Sequence, residues 1–517
     1  MQWFKFGAIA IGAAVLAACG GGAGGPSGSQ NNDPNRGALM QTPVPRIAGV
    51  SAAEFTAMLN ADATGQNLLQ LTGNPVCGVD VNYIKYGTVG GSSANPERTN
   101  ASGVLMVPTG TAAACTGPRP IVLYAHGTVI EKRYNLADWT DRTNPAFSES
   151  TLLAAMYAAQ GYIVVAPNYA GYDSSTLGYH PYLNADQESK EMIDALSAAK
   201  LALPTLMSAT TASAKLFITG YSQGGHVAMA THRAMQALTP PIPVTASAPL
   251  SGPYALAAQS DSTFFGMVNA GGTVFSPMIF TSYQKAYGNL YNSPSEIYES
   301  AFATGIESLL PGSYNWTTLF TSGKLPQLAL FSSTAPTGLE AQTPPTGTGA
   351  TDALFAAGFG TNNLIKNSAR AAYVADAIAH PDGVFPSINY GNPLASGAAT
   401  SPLRQAAARN DLRGWTPDPA SRVLLCAGNG DPTVFYALNT GVMSTLWAGL
   451  GSRVTTLDVD STATQNDPFA AVKAGFAAAK TATYTAGGAA AVVSAYHGTL
   501  VPPFCTAAAR GFFSQLL

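Results

Sequence analysis

Charge is scarce in this chain. Of its 517 residues, 25 are Lys or Arg and 28 are Asp or Glu, so 10% are charged, against roughly 25% in an ordinary soluble domain. That scarcity excludes disorder of the highly charged kind, and it excludes a nucleic-acid binder, which needs a basic surface. Cysteine and histidine are few as well, at 5 and 6, and no Cys/His spacing resembles a zinc site, so no metal is expected. The net charge of −3 says little about partners. What is there is an apolar fraction of 46%, normal for a globular protein, over a length that allows one large domain with insertions or two domains.

The N-terminus reads as a targeting signal. Lys5 precedes an apolar stretch, Phe6 to Ala18, that is shorter than the roughly 20 residues needed to span a bilayer. It ends in Leu16-Ala17-Ala18-Cys19-Gly20, which resembles a bacterial lipobox, so residues 1–18 are expected to be removed and Cys19 lipidated. Residues 19–45 begin with a Gly/Ser/Asn-rich run and read as a flexible tether holding the rest at a membrane surface. Gly20 stands where an inner-membrane retention signal usually has Asp, which points to an outer-membrane lipoprotein, or else to a periplasmic or extracellular protein.

Beyond the tether, strands alternate with helices. Val79–Ile84 and Gly103–Val107 read as an antiparallel pair. Short apolar runs at Ile121–Ala125, Tyr162–Ala166, Lys215–Thr219, Val244–Ala248, Arg422–Cys426 and Val454–Val459 follow, with helices at Ser150–Gln160, Glu188–Leu203 and Ala507–Leu516. Such alternation builds a mostly parallel sheet with helices on both faces. The alternation lapses before Arg422, in a segment rich in aromatics such as Phe264, Phe275, Phe280, Tyr283, Tyr298 and Trp316. The expected organisation is a core over 46–253, a cap over 254–410 sitting on the C-terminal strand ends, and the rest of the core over 411–517. The four cysteines left after Cys19 allow two disulfides in three connectivities. Cys77–Cys115 and Cys426–Cys505 are favoured because each pair stays within one end of this fold.

One serine, one aspartate and one histidine carry the chemistry. Gly220-Tyr221-Ser222-Gln223-Gly224, followed by Gly225, fits G-x-S-x-G directly after a strand and at the start of a helix. A turn that tight strains the serine backbone and crowds its neighbours, which the glycines relieve, leaving Ser222 exposed above the sheet. A serine needs a base held by an acid, in chain order Ser, acid, His. His497 lies just before the terminal helix and is the expected base, whereas His232 sits on the elbow helix and His380 in the insertion. Asp431, in a Gly-rich turn after Cys426, is the expected acid, with Asp458 and Asp460 as rivals. The oxyanion would be met by the backbone N–H of Gln223 and by that of Gly127 or Thr128. His126, His180 and His226 read as packing residues.

These residues resemble the α/β-hydrolase superfamily from about Val79 to the C-terminus, apart from the insertion. Ala166-Pro167-Asn168-Tyr169-Ala170-Gly171, a following helix containing Asp194, the large cap and the Gly-Tyr-Ser-Gln-Gly-Gly elbow look like the secretory lipase family of fungi and bacteria. Asn168 stands where such enzymes often have Asp. The resemblance implies the α/β-hydrolase fold with a cap inserted before the acid-bearing strand. It also implies ester hydrolysis through an acyl-enzyme, no cofactor, and small-molecule, lipid or polyester esters as substrates. A peptidase or amidase would use the same triad, and a non-catalytic binding module would be marked by a lost nucleophile or base. A buried charged anchor in the pocket would favour peptides, and an apolar channel would favour acyl chains.

Overall fold

The computed structural model describes residues 35–345, 352–386 and 394–517. The signal-like stretch, Cys19 and the first part of the tether lie outside the described residues. A nine-stranded sheet runs through the molecule: β1 (Arg46–Val50), β2 (Gly78–Gly91), β3 (Pro96–Thr109), β4 (Gly117–Ala125), β5 (Ile163–Pro167), β6 (Thr210–Tyr221), β7 (Ala246–Leu250), β10 (Arg422–Ala427) and β11 (Val454–Asp458). Their order is β1-β2-β3-β5-β4-β6-β7-β10-β11. The first three strands are antiparallel to their neighbours, and the rest are parallel. The parallel strands read as continuous apolar runs because helices cover both of their faces; Ile163-Val164-Val165-Ala166-Pro167 is buried throughout.

The covering helices are α1 (Ala52–Asn60), α2 (Ala63–Thr72), α3 (Phe147–Met156), α4 (Ala185–Ala202), α5 (Gln223–Ala237), α13 (Thr440–Leu446), α14 (Ala470–Ala495) and α15 (Val501–Ser514). Strand β1, helices α1 and α2, and the long α14 were not expected. β1 is short and half exposed, so it shows little apolar alternation, and α14 buries only Phe476. None of the helices among the described residues is long and apolar enough to cross a membrane.

Between β7 and β10 the chain forms α6 (Leu256–Phe264), α7 (Gly272–Tyr287), α8 (Ser300–Ala303), α9 (Trp316–Thr321), α10 (Asp352–Ala356), α11 (Asn367–Ala379) and α12 (Pro402–Arg409), with two short parallel strands, β8 (Phe331–Ser332) and β9 (Phe359–Gly360). This part has its own apolar core, including Phe264, Phe280, Tyr283, Tyr298 and Leu319, so most of its aromatics pack on one another; Trp316 is exposed. Two buried ion-pair groups brace it. Arg404 bonds both oxygens of Asp261 at 2.9 and 2.8 Å and reaches Asp376 at 2.9 Å. Arg413 lies between Asp382 and Asp411 at 2.7 and 2.8 Å.

Cys77 is bonded to Cys115, and Cys426 to Cys505. The second bridge ties β10 to α15. Asn168 donates its amide to Ser102 Oγ and Asn135 Oδ1, both at 3.0 Å, and accepts the Leu136 N–H at 2.8 Å. A carboxylate could not make those two donations, which accounts for Asn at this position.

Helix α4 buries three carboxylates, Glu188, Glu191 and Asp194, at spacings that place them on one face. Arg36 clamps Asp194 at 3.0 and 3.1 Å, and Thr88 donates to it at 2.8 Å. Glu191 has no such cation; burial, opposed by the Ala170 N–H and the Gln187 amide, pushes its carboxyl up to about 8. The folded state therefore keeps a proton that the unfolded chain releases near pH 4.3, and stability falls as pH rises from there through about 8. Glu191→Gln, which cannot ionise, is expected to melt increasingly above the wild type as pH rises from 5 to 9, as read by thermal unfolding across that range.

Candidate active site

Ser222 sits between β6 and α5 with φ 61° and ψ −121°, a backbone conformation side chains rarely adopt. Packing holds it there. A Cβ on Gly220 or Gly224 would stand 2.4 or 2.0 Å from the Ala125 carbonyl oxygen at the end of β4, and one on Gly225 would stand 2.4 Å from that of Leu250. Those positions tolerate no side chain, and the Ser222 N–H donates to Leu250 O at 2.9 Å. Ser222 is left partly open at the C-terminal edge of the sheet.

His497 lies in a single wide turn, Tyr496–Leu500, joining α14 to α15. Its Nε2 is 2.8 Å from Ser222 Oγ, and its Nδ1 is 2.6 Å from Asp431 Oδ2. Nδ1–H therefore donates to the carboxylate, and Nε2 is free to accept the serine proton. Asp431, buried in the turn after β10, is aimed by the Thr433 and Val434 N–H groups, which donate to its other oxygen at 2.8 and 3.0 Å. The structure thus brings Ser222, Asp431 and His497 into one hydrogen-bonded line from three separate loops.

The remaining histidines lie elsewhere. His126 is buried between Tyr134 and Tyr169, with ring centroids 4.5 and 4.0 Å away. Burial pushes it down to about 3, against two carbonyl oxygens that favour its protonation. His232 bonds Ser247 Oγ at 2.8 Å, and burial pushes it down to about 4. Both are neutral at pH 7. His180 and His226 lie behind the elbow, against Glu188.

Asp458 and Asp460 brace the site. Asp458 accepts from the Asn429 N–H and amide at 3.1 and 2.7 Å. Asp460 accepts from Tyr496 Oη and from Lys480, each at 2.6 Å. Tyr496 Oη in turn accepts the Gly430 N–H at 3.0 Å, so the residue before His497 grips the loop that carries Asp431. Its side chain explains two glycines, since a Cβ on Gly428 would come within 2.6 Å of the Tyr496 hydroxyl and one on Gly430 within 3.0 Å of its ring. Tyr221, the residue before Ser222, donates to the His497 carbonyl at 2.6 Å. Sequence reading placed Tyr221 in the elbow without the tie its hydroxyl makes and passed over Tyr496, because the partners of both hydroxyls are remote in the chain.

Of the anticipated oxyanion donors, the Gln223 N–H opens α5 and has no partner among the described residues, as befits the first turn of a helix. In the loop after β4, Gly127 packs against the elbow, where a Cβ on it would stand 3.3 Å from Tyr221 O and 3.8 Å from Ser222 Cβ. Thr128, next in that loop, bonds Tyr182 Oη through its hydroxyl at 2.6 Å.

Ser222 and Gln223 open into a cavity of about 710 Å³, counting its mouth, roofed by α6 and α7. Leu256, Phe264, Phe275, Ile279, Phe280 and Leu403 are among its apolar lining, with Gln259, Ser260, Thr263 and Ser276 between them, and no charged side chain among the described residues lines it.

No family model and no curated protein sequence matches the chain. Among solved structures, it is similar to the rice cell wall degrading esterase LipA from Xanthomonas oryzae. A ligand-bound form of LipA superposes with a TM-score of 0.67 at 24% identity, over 94% of this chain and 100% of that one. Another LipA structure gives a TM-score of 0.60 at 26% identity, over 89% and 98%. A protein of Legionella pneumophila shares the fold, with a TM-score of 0.61 at 19% identity over 92% and 98%. The chain has the α/β-hydrolase fold, of the kind found in lipases and esterases.

Removing the Tyr496 hydroxyl would leave the Gly430 N–H without its partner and the Asp460 oxygen with Lys480 alone. Tyr496→Phe is expected to lower stability by about 1–3 kcal/mol and kcat severalfold, with KM nearly unchanged. Denaturant melts and steady-state kinetics on the same preparation check both.

Proposed function

We propose that the protein is an exported serine ester hydrolase. The single observation that carries the reading is the line Ser222 Oγ–His497 Nε2 at 2.8 Å and His497 Nδ1–Asp431 Oδ2 at 2.6 Å, on the floor of an apolar cavity. His497 takes the Ser222 proton as Oγ attacks the ester carbonyl carbon. The carbonyl π electrons move to oxygen, where the N–H groups of Gln223 and of Gly127 or Thr128 meet the charge. Collapse of the tetrahedral species expels the alkoxide, which takes the proton from His497 and leaves an acyl-Ser222. Water, deprotonated by His497, then attacks the acyl carbon and releases the acid. Asp431 holds the imidazole tautomer and balances the imidazolium without taking its proton.

The absence of charged side chains along the cavity favours acyl chains over peptides held by a charged anchor. The likeness to LipA, an esterase, supports the same chemistry. Export as a lipoprotein anchored through Cys19 is supported by the lipobox-like Leu16-Ala17-Ala18-Cys19 and the Gly/Ser-rich run after it.

The test is hydrolysis of p-nitrophenyl esters from acetate to palmitate by the chain lacking residues 1–19. Turnover is expected to peak at one chain length. It should fall by about 10⁴-fold or more in Ser222→Ala and by about 10⁴ in Asp431→Asn, where the carboxylate no longer fixes the tautomer. Equal rates in wild type and Ser222→Ala across the series would remove the esterase reading.

A further inference from the structure

Glu188 is fully buried on α4, directly behind the elbow, and takes no part in the steps above. No lysine or arginine among the described residues pairs with it; the nearest basic groups are His180 at 3.6 Å and His226 at 3.8 Å. An ionisable carboxyl in such a place is costly to keep. Its Oε1 accepts the Leu183 N–H at 3.2 Å and the Gln223 side-chain amide at 2.7 Å.

The Gln223 side chain is equally buried and is fixed in one orientation. Its Nε2 reaches both Glu188 Oε1 at 2.7 Å and His180 Nε2 at 2.6 Å. His180 Nδ1 faces the Ala170 carbonyl at 3.0 Å and so carries the ring proton, which leaves Nε2 to accept. Flipping the amide would set its oxygen against the Glu188 oxygen and the imidazole lone pair together. The first turn of α5 runs Gln223-Gly224-Gly225-His226. Two of those residues have no side chain, so Gln223 and His226 are the handles of that turn. His226 is held by its Nε2 on Asn410 O at 2.9 Å, and its Nδ1 side faces Glu188. The Gln223 N–H has no intrahelical partner, so no main-chain hydrogen bond of its own holds its direction.

We infer that Glu188 is a positioning residue for ester hydrolysis: it grips the Gln223 side chain from behind, and thereby keeps the Gln223 N–H aimed at the site of the developing oxyanion. Glu188 touches neither substrate nor the reacting atoms; its effect passes through Gln223 alone. The inference rests on the serine-esterase reading.

The test compares Glu188→Ala, Gln223→Met and Glu188→Gln with wild type. Gln223→Met keeps the N–H and the side-chain length but loses the grip. Glu188→Gln keeps an acceptor oxygen for the Gln223 amide. The readouts are kcat and KM on p-nitrophenyl butyrate, and inhibition by an alkyl trifluoromethyl ketone, whose adduct with a serine carries an oxyanion. Glu188→Ala and Gln223→Met are expected to lose about 10- to 100-fold in kcat, less than the loss of a donor outright. KM should stay within twofold, the ketone should weaken by the same factor as kcat, and Glu188→Gln should recover most of the loss. A lost side chain that mattered only for folding would lower the active fraction and leave ketone affinity intact, which would overturn the proposal. Should Glu188→Ala fail to fold, Gln223→Met decides by the same criteria. Wild-type turnover that depends on Ser222, with unaltered kcat and ketone affinity in Gln223→Met, would overturn this proposal alone. No Ser222-dependent turnover at all would overturn it together with the esterase reading.

Discussion

The turn between β6 and α5 lies so close to the ends of β4 and β7 that side chains on Gly220, Gly224 or Gly225 would collide with the carbonyl oxygens of Ala125 and Leu250. That contact holds Ser222 at a positive φ, a conformation costing on the order of 1–3 kcal/mol that persists only where its surroundings over-determine it. The same contact starts α5 at the cavity, which Gln223 lines, and a helix N-terminus favours negative charge there. Nucleophile, candidate oxyanion donor and cavity floor are thus consequences of one packing constraint.

His497 lies 275 residues beyond Ser222 in the chain and 66 beyond Asp431, and each arrives on a loop. Loops wander unless they are tied, and here each tie uses a residue next to a reacting one. Tyr221 holds the His497 carbonyl, and Tyr496 holds Gly430 and Asp460. The Cys426–Cys505 bridge, closing a separation of 79 residues, joins the acid-bearing strand to the helix that follows the histidine. In the chain-entropy account, a loop of that length constrains the unfolded chain by about 4–5 kcal/mol. Position and stability are served by the same covalent link.

The insertion between β7 and β10 turns this constellation into a pocket. Its own aromatic core and the buried Arg404 and Arg413 groups give it a defined shape, and its α6 and α7 wall off Ser222 with apolar side chains. Excluding water in this way strengthens every electrostatic contact along the Ser222–His497–Asp431 line, because effective dielectric falls. The charge-poor composition noticed first is thus concentrated in effect at the cavity, where no ionised side chain competes for the substrate.

What was legible in the sequence is whatever leaves a local trace. Buried parallel strands are unbroken apolar runs, so the core of the sheet could be read, and the strand–glycine–serine–glycine–helix pattern marked Ser222 because only that turn demands those residues in that order. Chain order then pointed to Asp431 and His497. Groups acting across long separations left no trace. The hydroxyl of Tyr496 and the grip of Glu188 on Gln223 are defined by partners that only folding brings near. Weakly amphipathic pieces such as β1 and α14 were invisible for a related reason: exposed on most sides, they carry no apolar stripe. By itself, then, the sequence determined the layered fold and the three residues to be brought together, since both follow from local pattern and chain order. Only the tertiary structure decided which backbone N–H groups remain free for an oxyanion and which carboxylates serve as braces, because a hydrogen bond belongs to whichever partner folding places within about 3 Å.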